Sequence, residues 1–256
     1  MEEEEKKPTK IMVLSDQTEY GKNAIEHGKL LCKIFQSEID IRYPEVHFFN
    51  ESYYLLAEET NTILIVIGVL DKNSGTIKSE PKPLFTTKRA ISFIRGSRVP
   101  VLVVGNKPPQ SESYKNVVLP IDVDRQAKEK AMWASYFVRF YAKMHIKGTI
   151  HVVYNQHKEQ IVARKVENNI EFVEKLYRNL ELRYEFHPMT DTLQIDKTSI
   201  ELAPNFEATL SVIMMTKFYS LIDFLFGPKE SQIIGKTDHF PVLCINERDD
   251  LYVLCQ

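Results

Sequence analysis

Cysteine, glycine and long apolar runs are all scarce in this chain. Three cysteines in 256 residues, Cys32, Cys244 and Cys255, are spaced neither as a zinc knuckle nor as a CxxC redox pair. That excludes a disulfide framework, and reduced thiols in a cytoplasmic protein are the expectation. Cys255, at the C-terminal end, is the one best placed to meet oxidants. Nine glycines leave little room for phosphate-cradling loops: GxGxxG, the Walker loop, GxSxG and HExxH are all missing. The longest apolar stretches, residues 62–70 and 99–105, fall well short of the roughly 20 residues that span a bilayer. Basic excess is missing too. With 33 Lys and Arg against 35 Asp and Glu, the net charge is -2, so no broad positive field draws nucleic acid or anionic lipid. The N-terminus begins with Glu2 to Glu5, then Lys6 and Lys7, where a secretory signal has a basic start and an apolar run. Neither a nucleic-acid nor a membrane partner is expected.

What the chain does have is alternation. Residues 10–16 are a short apolar run ending in Asp16, and residues 62–70 are a continuous β-branched run suited to a strand buried on both faces of a parallel sheet. Between them, apolar residues at helical spacing predict a helix over 19–35, with Thr18 as its cap. A strand over 38–43 and a short helix over 51–59 follow. Residues 71–83 read as an exposed loop, 86–94 as a helix and 99–104 as a strand. The prolines and serines of 107–113 mark a linker. The second half opens with a strand over 116–122 ending in Asp122. It continues as a helix to about 147, a strand over 149–154, a helix over 159–179 and a short strand over 183–186. A helix over 193–202, a strand over 208–215, a helix over 227–236 and a strand over 242–246 complete it. Parallel strands cannot be joined by tight turns, so this alternation predicts crossover helices and a doubly wound α/β sheet in each half. The ligand crevice of such sheets lies beyond the carboxyl ends of the strands, where Asp16 and Asp122 fall.

The halves repeat. Ile11-Met-Val-Leu-Ser-Asp16 matches Val117-Val-Leu-Pro-Ile-Asp122, 106 residues on, and Val99-Pro-Val-Leu-Val-Val104 matches Phe240-Pro-Val-Leu-Cys-Ile245. In this opener and closer the chain resembles the universal stress protein family, whose domains open with a hydrophobic strand, a proline and an aspartate and close with a Pro-Val-Leu-Val strand. Residues 117–122 and 131–134 carry the closest likeness. The resemblance implies two tandem doubly wound parallel-sheet domains of the adenine nucleotide alpha hydrolase-like (HUP) type, over residues 1–107 and 114–256. The first is truncated, having room for one fewer βα unit. It also implies an intramolecular pseudo-dimer in which the closing strands pair, with Val101, Val103, Val242 and Leu243 at the seam; a further homodimer stays open.

ATP-binding members of that family carry a glycine motif after the fourth strand: Gly, two residues, Gly, nine residues, Gly, then Ser or Thr. Lacking a Cβ, these glycines let the backbone approach phosphate and form an anion-binding nest. Aligned on Gly227, the second half places Met214 and Lys217 at the first two glycines and Pro228 at the hydroxyl position. Pro228 brings no amide donor. In the first half Gly68 fits the first glycine and Asp71 takes the second, where a carboxylate repels a triphosphate. The resemblance therefore implies a universal-stress-type protein with the ATP loop lost, non-catalytic, with a regulatory or binding role, no cofactor and an unidentified protein partner. The alternative is an ATP- or AMP-binding stress protein or weak ATPase using Asp122, Lys217 and Gly227.

Other signals have ordinary readings beside functional ones. Lys217 is a phosphate partner or a solvated loop cation; Asp16 and Asp122 contact a nucleoside or cap the following helix. The aromatic-rich stretch 218–226 plugs the crevice or forms an exposed partner patch. His145, His151 and His157 are near in sequence, yet nothing brings them together, so no metal site is expected.

Overall fold

A computed structural model describes residues 8–45, 52–70, 83–123, 127–190, 192, 194–215, 233–234 and 241–246. The first half runs β1 (Lys10–Leu14), α1 (Glu19–Phe35), β2 (Glu38–Arg42), α2 (Ser52–Glu59), β3 (Thr62–Leu70), β4 (Phe85–Thr86), α3 (Thr87–Gly96) and β5 (Val101–Val104). The second runs β6 (Asn116–Ile121), α4 (Ala127–Lys143), β7 (Thr149–Gln156), α5 (Gln160–Asn179), β8 (Tyr184–Thr190) and α6 (Ile195–Leu202). A 3-10 turn (Ala203–Phe206), β9 (Leu210–Met215) and β10 (Val242–Asn246) follow.

All these strands belong to one mixed sheet. Its order is β2-β1-β3-β5-β10-β9-β6-β7-β8, with β4 added beside β3. Pairing is parallel on either side and turns antiparallel once, between β5 and β10, where Val103 faces Val242, Leu102 faces Leu243 and Val101 faces Cys244. The second half has five strands in the order β8-β7-β6-β9-β10, and the first has the same winding with one βα unit fewer.

Period-two alternation decides which face each residue enters. Leu102, Val104, Leu243 and Ile245 join a core with Leu31, Phe137 and Tyr177 from α1, α4 and α5. Val101, Val103, Val242 and Cys244 join a core on the opposite face, with Ala57, Ile91 and Ile94 from α2 and α3. Both cores cross from one half into the other. The helices join as well: Phe35 of α1 meets Trp133 and Phe137 of α4 edge-on, with ring centroids 5.6 and 5.3 Å apart, a favoured aromatic geometry.

The 107–113 segment is stitched in place. His27 of α1, 2% exposed, holds the Lys107 carbonyl through Nε2 at 2.9 Å and the Tyr114 hydroxyl through Nδ1. The carbonyl needs a donor, so Nε2 carries the proton and Nδ1 accepts from Tyr114. Tyr141 of α4 donates its hydroxyl to the Ser113 carbonyl. Among the described residues, no helix is long and apolar enough to cross a membrane; Cys244 is buried in the core and Cys32 is half-buried, and burial pushes the Cys32 thiol up to about 11. Cys255 lies outside the described residues.

Candidate functional site

Asp16 and Asp122 both stand just past the first strand of their half, and the fold uses them differently. The Asp16 carboxylate accepts the Leu84 amide at 2.6 Å and the Thr18 amide at 3.0 Å, and it also takes the Thr18 hydroxyl. Thr18 in turn caps α1. Both carboxylate oxygens are thus engaged in tying the start of α1 to the segment before β4.

Gly68, the first-half match to the family's first glycine, is occupied by packing. A Cβ there would lie 2.2 Å from the Tyr20 carbonyl oxygen and 2.4 Å from its carbon. The glycine lets the first turn of α1 sit directly on β3, with Tyr20 7% exposed. Gly68→Ala should cost about 3 kcal/mol, since backbone, unlike a flexible side chain, cannot swing aside. Urea unfolding measures it, and an unchanged midpoint would refute the packing role.

The second-half acid faces a more open setting. Asp122 Oδ1 receives His157 Nε2 at 2.7 Å and the Val123 amide at 3.0 Å, and Asn169 of α5 donates to the Asp122 carbonyl at 2.8 Å. About a quarter of each side chain in the Asp122–His157 pair is exposed. Beside them a cavity of about 490 Å³ opens between the end of β7 and α5, lined by Tyr154, Gln156, His157, Ile170, Glu167 and Glu171 among others. Two carboxylates on its wall oppose an anionic guest. Lys130 of α4, 2% exposed, donates to the Pro120 carbonyl at 2.7 Å, so this cation is turned to the backbone of β6.

Lys217, Gly227, Pro228 and the 218–226 stretch lie outside the described residues. Met214 is in β9, beside Ile245, half-buried against the core. No protein-family model matches the sequence, and no curated protein matches it. Solved structures do. A universal stress protein from Archaeoglobus fulgidus DSM 4304 superposes with a TM-score of 0.62 at 13% identity, over 96% of this chain and 98% of that one. A candidate universal stress protein from Pseudomonas aeruginosa UCBPP-PA14 gives 0.55 at 15%, over 96% and 95%. A protein of unknown function from Pseudomonas aeruginosa PAO1 gives 0.52 at 14%, over 96% and 94%. The chain has the universal stress protein fold.

Within that fold, the three histidines near in sequence part company. His145 is exposed after α4, and His157 holds Asp122. His151 points to the opposite side of the sheet, where it meets two residues the sequence reading passed over, Glu185 and His187 of β8. Burial lowers the pKa of both His151 and His187. The strand expected over 183–186 contains Glu185 but stops short of His187, whereas β8 runs from Tyr184 to Thr190. Beyond β7, β8 has no further described strand neighbour, and an edge strand tolerates a proline because its missing amide faces outward.

Proposed function

We propose that the protein is a non-catalytic regulatory or binding module of the universal-stress type, acting as an intramolecular pseudo-dimer in a stress response without ATP as its cofactor. One observation carries this reading. In the first half the Asp16 carboxylate is taken up by the Leu84 amide and the Tyr20 backbone lies against Gly68, and in the second half a cavity beside His157 is walled by Glu167 and Glu171, a poor setting for phosphate. The departures at Met214, Lys217 and Pro228 point the same way, since a nest of amides needs glycine there. On this reading, function rests on presenting the paired halves to a protein partner. The second reading is AMP or ATP held by Asp122, Lys217 and Gly227.

Thermal unfolding with ATP, AMP or a cyclic dinucleotide at fixed magnesium separates the two. The expected result is an unchanged melting temperature. A ligand present at a hundred times its Kd would stabilise the native state by about 2.7 kcal/mol, a rise of roughly 5 to 10 °C for a chain of this size. Such a rise would make the protein a nucleotide sensor.

A further inference from the structure

β7 and β8 are paired so that His151 lies opposite Glu185 and Val153 opposite His187. Side chains two apart on a strand share a face, so His151, Glu185 and His187 all project from one side of the sheet. Across that side lies the 3-10 turn, and its Phe206 stacks on both imidazoles, with centroids 4.6 Å from His151 at 6° and 4.3 Å from His187 at 23°. One aromatic plate therefore holds both rings in place.

The three donor atoms form a compact triangle. His151 Nδ1 is 3.2 Å from His187 Nε2 and 3.5 Å from Glu185 Oε2, and the remaining edge, His187 Nε2 to Glu185 Oε2, is 3.9 Å. A tetrahedral zinc ion with ligand bonds of about 2.0 to 2.1 Å has donor-to-donor edges of about 3.3 to 3.4 Å. The triangle matches one face of that tetrahedron to within about 0.6 Å at its longest edge and about 0.2 Å at the other two. The longest edges belong to Glu185, whose side chain is 54% exposed and able to swing inward.

We propose that His151, Glu185 and His187 form a binding site for a divalent transition metal ion, zinc in the first instance, with solvent in the fourth position. The donor set, two imidazoles and a carboxylate, suits zinc better than calcium or magnesium, which take all-oxygen shells. In the metal-free state one ring donates its N–H to the other across the 3.2 Å contact. On binding, that ring moves its proton to its other nitrogen, and both facing lone pairs become ligands with no net proton released. The site stands apart from Asp122 and its cavity, so it is independent of the functional reading above.

The test uses the full chain, stripped with a chelator and titrated with zinc chloride by calorimetry, and with cobalt(II) to read the visible bands of a four-coordinate ion. One equivalent should bind, His187→Ala should abolish binding, and Glu185→Gln should weaken it about tenfold or more. Circular dichroism checks that each variant folds; Glu185 is exposed enough that its variant decides the matter if His187→Ala does not fold. No saturable uptake by the native chain, or uptake unaltered in Glu185→Gln, overturns the proposal.

Discussion

Lowering the pH from 7 to 4 should remove about 3 kcal/mol of folding stability through His27 alone. Burial is the main cause: it pushes the imidazole from its ordinary 6.5 down to about 4, and the Lys107 carbonyl and Glu26 only partly offset it. In the unfolded chain His27 takes up its proton near 6.5, while in the folded chain it resists until about 4. A base whose folded pKa is depressed leaves stability intact above pH 6.5. Stability is lost between 6.5 and 4, where the unfolded state alone binds the extra proton, and below 4 this loss is complete. The structural reason is the position of the ring, enclosed between α1 and the segment that leads into the second half, with Tyr114 fully buried on one nitrogen.

His27→Gln tests this, because an amide can still donate to the Lys107 carbonyl but has no proton to gain. Urea unfolding at a series of pH values should show wild type losing about one proton's worth more stability than the variant across that window. Other groups that titrate there, His151 and His187 among them, act in both proteins and cancel in the difference. Parallel stability curves for the two would refute the assignment.

A lysine at the seam between β5 and β10 should be worse still. Val103 and Leu243 are both fully buried, in adjoining pairs of the same antiparallel ladder, and they enter opposite cores. Val103→Lys would bring an ammonium among Ile91, Ile94 and Ile213; Leu243→Lys would bring one among Leu102, Val212 and Leu119. Neither cluster offers a counter-charge, so each variant should lose on the order of 4 kcal/mol. That is a large share of the roughly 5 to 15 kcal/mol that holds a typical protein folded, and it corresponds to a melting temperature lower by about 10 °C. Thermal unfolding unchanged in either variant would mean that the two strands do not pair in solution.

Much of the architecture is legible in the residues themselves. The β-branched runs at 62–70 and 99–104, and the 106-residue repeat that ends in Asp16 and Asp122, encode a doubly wound α/β fold because only strands buried on both faces need such runs. The site is less legible. Gly68 fits a glycine motif in sequence, yet its lack of a Cβ serves the contact with Tyr20, which lies 48 positions away in the chain. Asp16 and Asp122 occupy matching places in the repeat, and no local pattern says that one is saturated by Leu84 while the other takes His157.

Within the His151, Glu185 and His187 cluster, His187 lies beyond the strand expected over 183–186. Pro188 is a strand breaker when read locally and an acceptable residue on an edge, and whether a strand is an edge depends on every other strand in the sheet. Sequence by itself determined most of the described secondary elements, their order and the repeated opener and closer, because periodicity and β-branching act over a few residues; it did not give β4 or the end of β8. Tertiary structure decided which acid stays available, which glycine is spent on packing and which histidines meet, because those depend on strand register and sheet order, set by the whole molecule at once.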